Sequence, residues 1–175
     1  MTIGQSGSAP GVAGGERWPA MVASLIVGAA FFSLWFWLLP QWLGFRVETA
    51  GAARWRWLAA VPSVLGFAVA LGCVWDFGWT GQGTPAPVAP PKNLVVVGFY
   101  RYVRNPMYVG VLALIVGQAL LLGRERLFIW ALCAWFLFHL FVVFEEEPGL
   151  RRRFGAGYEE YCARVRRWLP FSWPV

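Results

Sequence analysis

Three consecutive carboxylates, Glu145, Glu146 and Glu147, follow directly on a charge-free apolar run over residues 127–144 and precede Pro148. If that run is a helix, the acids sit at its C-terminal end, where each opposes the helix dipole by about 0.3–1 kcal/mol. They also repel one another. A local conflict of this kind points to function, here one or two of these carboxylates holding a cationic group. The competing reading is neutralisation by Arg151, Arg152 and Arg153.

A second group lies just ahead of another apolar run: Tyr100, Arg101, Tyr102, Arg104, Asn105 and Tyr108. Pro106 suits the first position of a helix, because its missing N–H would be unpaired there anyway. The free N–H groups and dipole of that helix start favour an anion, and arginine adds bidentate recognition of a carboxylate or phosphate. Plain N-capping accounts for Asn105 alone, headgroup contact for the arginines and interfacial anchoring for the tyrosines. A ligand with an amine, a carboxylate and a sulfonium suits both groups jointly. The amine would meet Glu, the carboxylate Arg and the helix start, and the sulfonium an aromatic face. S-adenosylmethionine has all three, and other zwitterionic or phosphate-bearing ligands meet the same residues.

His139, the single histidine, stands seven residues before Glu146, two turns up the same face. An ionisable group inside an apolar helix reads as functional, here as an acceptor-binding residue. A neutral histidine bonded to a neighbouring helix is the alternative. Cys73, Cys133 and Cys162 match no metal or redox spacing and read as small apolar fillers.

The elements that must position these groups are apolar. Of 175 residues, 58% are hydrophobic and only 14% charged, where soluble domains carry about a quarter. Residues 18–45, 57–75, 105–123 and 127–144 carry no Asp, Glu, Lys or Arg. Each meets the roughly 17–25 residues that cross a bilayer core. The expectation is an all-α integral membrane fold with four transmembrane helices. The first run exceeds the ~7–15 apolar residues of a signal peptide and ends among Trp35, Trp37, Pro40 and Trp42, so it reads as an anchored helix. Twelve tryptophans suit two membrane interfaces.

Leu150, Phe154, Tyr158, Tyr161, Val165 and Trp168 recur at helical spacing with arginines on the other face, which predicts a C-terminal amphipathic helix on the membrane surface. Residues 1–17 are expected to be disordered. Ala113 and Gly117 allow a close helix contact. The loop over residues 76–105 holds Pro85, Pro87, Pro90 and Pro91, either as a rigid spacer or as a strap shaping a pocket. Within it, residues 94–97 read as a short strand or an apolar dip into the interface.

With the N-terminus inside, Arg17, Lys92, Arg101, Arg104, Arg151, Arg152, Arg153, Arg164, Arg166 and Arg167 are cytoplasmic. Arg46, Arg54, Arg56, Arg124 and Arg126 are external, so the basic residues favour both termini on the cytoplasmic side. Both residue groups then share the cytoplasmic face. The net charge of +6 fits an anionic leaflet and, in so apolar a chain, argues against a nucleic-acid partner.

The stretch Gly98-Phe99-Tyr100-Arg101-Tyr102-Val103-Arg104-Asn105-Pro106-Met107-Tyr108-Val109-Gly110 resembles the Arg-His-Pro-x-Tyr-x-Gly motif of the isoprenylcysteine carboxyl methyltransferase and phospholipid methyltransferase families. Glu146-Glu147 resembles their paired acids. Leu150, Phe154-Gly155, Tyr158, Tyr161, Val165 and Arg167-Trp168-Leu169-Pro170 resemble the C-terminal continuation. Asn105 stands where the motif often has His, so a mechanism through a motif histidine is not available to this chain.

The resemblance implies a single methyltransferase domain over residues 18–175, with the cofactor part roughly at 84–170. S-adenosylmethionine would lie between the last two helices and the C-terminal segment, open to the cytoplasm. Tyr102, Arg104, Asn105, Tyr108, Gly110, Glu146 and Glu147 would line it, with Arg104 and Glu147 as catalytic residues. A lipid-like or isoprenoid acceptor would approach from the membrane lipids. Carboxyl O-methylation of a prenylated or apolar acceptor is the preferred reaction, ahead of N-methylation of a phospholipid amine. A nicotinamide-dependent sterol-type reductase and a non-enzymatic membrane scaffold or lipid-binding protein are the alternatives.

Overall fold

In the computed structural model, residues 17–42, 44, 60–84 and 91–169 are described. Among them every regular element is helical. The expectations for residues 1–16 and for the external link before residue 60 lie outside the described residues.

Helix α1 (Arg17–Phe32) runs through a π turn (Ser33–Leu38) into the short α2 (Leu39–Trp42). Helix α3 (Ala60–Asp76) widens into a second π turn (Phe77–Gly81). A 3-10 turn (Gly98–Arg101) precedes α4 (Pro106–Leu122). Helix α5 (Glu125–Phe141) continues through a third π turn (Val142–Glu146) into α6 (Glu147–Phe154), and α7 (Ala156–Arg164) follows.

Among the described residues, three helical stretches are long and apolar enough to cross a membrane: Trp18–Trp35, Ala60–Gly81 and Glu125–Phe154. The apolar α4 is shorter, at 17 residues. The outward faces carry Ile26, Val64, Leu65, Ile129 and Leu132, all exposed. Apolar side chains on the outside of an apolar helix are what lipid contact requires.

Small residues set the crossing of α3 on α4. A Cβ added at Gly66 would meet the Gly110 carbonyl oxygen at 2.5 Å and Ala113 Cβ at 3.0 Å, and one at Gly110 would meet the Gly66 carbonyl oxygen at 2.8 Å. Gly117 lies against Ser63 in the same way. The expected Ala113 and Gly117 contact is therefore present, with Gly66 and Gly110 extending it. Gly123, left-handed at φ 62°, ends α4, and Arg124 N–H donates to the Ala119 carbonyl at 3.0 Å. This left-handed ending turns the chain into α5. Between these helices lie Val111, Ile115, Ala119, Leu127, Ala131 and Ala134. Phe31 and Trp35 bring α1 and its π turn onto Phe138 of α5, with ring centroids 6.0 and 4.5 Å away.

Two expectations are corrected here. The acids do not end a helix. Pro148 would deprive Phe144 of its helical hydrogen bond and crowd that carbonyl, and the π turn immediately before it absorbs the conflict, so the helical run continues to Phe154. Glu147 thus opens α6, where the dipole favours a carboxylate. The C-terminal segment, in turn, is two short helices, because Gly155 takes φ 50°, ψ −127°, a conformation open to glycine.

Candidate active site

An open cleft lies at the end of the bundle where α4 begins and α5 gives way to α6. It encloses about 720 Å³, counting the space at its mouth. Its polar wall is Arg104, Asn105, Tyr108, Glu146 and Glu147, and its aromatic and apolar walls include Phe31, Phe77, Met107, Tyr100, Tyr158 and Tyr161. Pro91, Leu94 and Val95 also line it, so this end of the long loop shapes the pocket; Pro85, Pro87 and Pro90 lie outside the described residues. Residues 94–97 form no strand. Val95 is buried against Cys73, Tyr100 and Met107, so the segment dips inward, and Lys92 N–H fastens it to the Gly81 carbonyl at 2.8 Å.

The two acids part company. Glu147 is enclosed by three guanidinium groups: Arg167 Nε donates to Oε1 at 2.6 Å and Nη2 to Oε2 at 3.0 Å, a bidentate pair. Arg104 Nη1 lies 3.3 Å from Oε1 and Arg151 Nη1 3.5 Å from Oε2. The Glu147 side chain is 4% exposed. Its charge is balanced from the loop, from α6 itself and from the tail. The bond to Glu147 raises Arg167 above the ordinary arginine range. Neutralisation by nearby arginines is therefore correct for Glu147, although only Arg151 of the three expected takes part.

Glu146 has no such company. Tyr108 Oη donates to its Oε1 at 2.6 Å, and among the described residues no Arg or Lys pairs with it. Glu145 is exposed.

The loop before α4 is bound to the tail after α7. Arg104 N–H donates to the Arg166 carbonyl at 2.9 Å, and Asn105 Nδ2 to the Arg167 carbonyl at 3.1 Å. Asn105 stands at the N-cap position of α4 but makes no side-chain capping bond; its amide ties the tail down instead. Tyr161 Oη donates to the Tyr100 carbonyl at 2.7 Å, and burial pushes the Tyr158 and Tyr161 phenols above their ordinary value. Arg104 Nη1 also reaches Cys162 Sγ at 2.7 Å. Its Nε is buried with no hydrogen-bond partner among the described residues.

Of the residues expected to line the cofactor or bind the acceptor, Arg104, Asn105, Tyr108, Glu146 and Glu147 are brought together. Three are not. Tyr102 is 61% exposed and outside the cleft lining, because the 3-10 turn ends before it. Gly110 is consumed by the crossing with Gly66 and Ala70. His139 accepts a 3.2 Å hydrogen bond at Nδ1 from Trp168 Nε1 and also lies outside the lining. Arg167 was missed as the strongest partner of Glu147, as were Phe31 and Phe77 as walls. The spacing of Tyr158 and Tyr161 pointed to a shared helix face, but Phe31 looks like any packing residue of an apolar helix.

Two cleft-lining residues have an unmatched group among the described residues: the Glu146 carboxylate pairs with no Arg or Lys, and the buried Arg104 Nε–H has no acceptor. They demand opposite charges, with Tyr100, Tyr108, Tyr158 and Tyr161 between and around them.

Fold and cleft together define a helical membrane protein with a polar-headed, apolar-walled site at one end of its bundle. Residues 55–157, more than half of the chain, match the phospholipid methyltransferase family, and the chain belongs to it. It is 35% identical over 95 residues, 51% of the chain, to a protein-S-isoprenylcysteine O-methyltransferase of Schizosaccharomyces pombe. It is also 38% identical over 80 residues, 45% of the chain, to a probable protein-S-isoprenylcysteine O-methyltransferase of Oryza sativa subsp. indica. The matched stretches cover 40% and 41% of those relatives' length. No solved structure matches the chain.

Proposed function

We propose that the protein is an S-adenosylmethionine-dependent membrane methyltransferase that methylates the carboxylate of a prenylated or similarly apolar acceptor. The observation that carries this reading is the cleft's pair of unmatched groups, the Glu146 carboxylate and the Arg104 Nε–H, set among tyrosines at the start of α4. This donor set fits the methionine part of the methyl donor. Glu146 would take its amine, Arg104 and the α4 N-terminus its carboxylate, and the tyrosine faces its sulfonium. When bound, the donor supplies an electrophilic methyl group on sulfur.

The chain's own contribution is binding, orientation and exclusion of water. Tyr108 orients Glu146, and the Glu147 cluster holds loop, α6 and tail in one arrangement around the cleft. A carboxylate acceptor attacks without losing a proton, so no base is required, which suits a site with Asn105 in place of histidine. The named relatives are isoprenylcysteine O-methyltransferases, which favours this acceptor over a phospholipid amine.

In a bilayer we place four spans, with α4 crossing alongside α3 and α5, since its 17 residues meet the lower limit of about 17. Both termini and the cleft lie on the cytoplasmic side, as the distribution of arginines favours.

The test is methyl transfer from radiolabelled donor by purified protein, offered an S-prenylated cysteine with a free carboxylate or phosphatidylethanolamine vesicles. Base-labile label on the prenylcysteine supports the proposal. Label on the lipid amine replaces it with the N-methyltransferase reading, and donor binding absent in folded protein overturns both.

A further inference from the structure

His139 is half-buried on α5, outside the cleft lining, and stands in a cluster of three rings. Trp135 lies against one face at 5.6 Å between centroids, nearly parallel at 23°. Trp168, from the tail, lies at 6.2 Å and donates its indole N–H to His139 Nδ1 at 3.2 Å. In this bond Nδ1 is the acceptor. The Trp168 indole has no second N–H, and His139 is its hydrogen-bond partner among the described residues.

Trp168 also reaches the site. Its ring is 6.4 Å from that of Tyr108, inside the range of aromatic contact. Tyr108 is held by Phe138 at 4.6 Å and Phe31 at 6.0 Å, and its hydroxyl holds Glu146. The residue next to Trp168, Arg167, is the bidentate partner of Glu147. One tail dipeptide thus serves both acids, Arg167 by charge and Trp168 through Tyr108.

We propose that His139 is a positioning residue: through Trp168 it seats the tail beside the cleft and fixes Tyr108 against Glu146. It is not among the residues that line the cleft. This inference rests on the methyl-donor reading of the cleft, and the experiment separates the two.

Donor affinity and steady-state constants are measured for wild type, His139→Phe, His139→Asn and Trp168→Phe, with melting temperature in detergent as a check on folding. His139→Phe keeps the stack and removes the acceptor, whereas His139→Asn restores an acceptor oxygen near the place of Nδ1. The expected result is donor affinity weakened about tenfold in His139→Phe and in Trp168→Phe, the scale of one lost hydrogen bond with a stranded donor. KM for the donor rises more than kcat falls, His139→Asn recovers most of the loss, and the double variant His139→Phe/Trp168→Phe is no worse than either single one. If wild type binds donor and His139→Phe binds it equally well, the inference is overturned. It is also overturned if His139→Asn is as impaired as His139→Phe. If wild type itself binds no donor, the reading of the cleft has failed instead.

Discussion

Tyr108 and Glu146, 38 residues apart in sequence, meet through a 2.6 Å hydrogen bond from the phenol to Oε1, and this contact separates two adjacent acids by role. Glu146 faces the cleft with a neutral partner. Glu147, one residue on, is enclosed by Arg104, Arg151 and Arg167. A carboxylate that already holds three guanidinium groups has little left for a ligand amine, whereas Glu146 has a charge to offer.

Glu147→Gln should act on stability. It removes the charge that Arg167 and Arg104 share while leaving both arginines in place, and breaking a buried pair by removing one partner costs about 3 kcal/mol. Thermal unfolding in detergent should show a clear drop in melting temperature for Glu147→Gln, with Glu146→Gln close to wild type.

Tyr108→Phe keeps the ring against Phe138, at 4.6 Å, and deletes only the hydroxyl. A hydrogen bond to a carboxylate is worth about 1.5–3 kcal/mol, so donor affinity should fall at least tenfold while the helical circular dichroism is unchanged. An effect on melting alone would make Tyr108 a packing residue.

Gly110→Val should distinguish packing from cofactor contact. The new side chain would press on the backbone of Gly66 and Ala70, and overpacking costs about 1–3 kcal/mol. The variant should melt earlier, yet its folded fraction should bind donor as wild type does.

Alkaline pH should loosen the tail. Burial raises the Tyr161 phenol above its ordinary value near 10. A raised folded-state pKa gives stability that is present below the unfolded pKa and lost as pH rises toward the folded one. Melting temperature should therefore decline above about pH 10, and Tyr161→Phe, which cannot ionise, should flatten that decline. An unchanged slope would remove Tyr161 from this role.

Sequence patterns reached the apolar helices well, because a helix-length run without charge suits a bilayer core and is costly to expose to water. They also joined the α4 start to the acidic cluster, some 40 residues away. What they did not show was the pairing within the site. Glu146 and Glu147 look alike as letters, and only the turn of the helix separates their faces. Arg167 resembled one more basic residue of a surface helix until the glycine break at Gly155 and the tail's return placed it on Glu147. The π turn before Pro148 was equally hidden, since a proline after an apolar run ordinarily marks a helix end. Gly110 packs against Gly66 and Ala70, a role that spacing alone does not distinguish from ligand contact.

Calorimetric titration of S-adenosylmethionine into the purified protein and its Glu146→Gln variant tests the central claim most directly. Wild type should bind saturably at one site. Glu146→Gln, equally well folded, should bind about 30-fold more weakly, the scale of one lost charge pair in a desolvated site. Equal affinity in the two proteins would contradict the assignment of Glu146 to the ligand's cationic group.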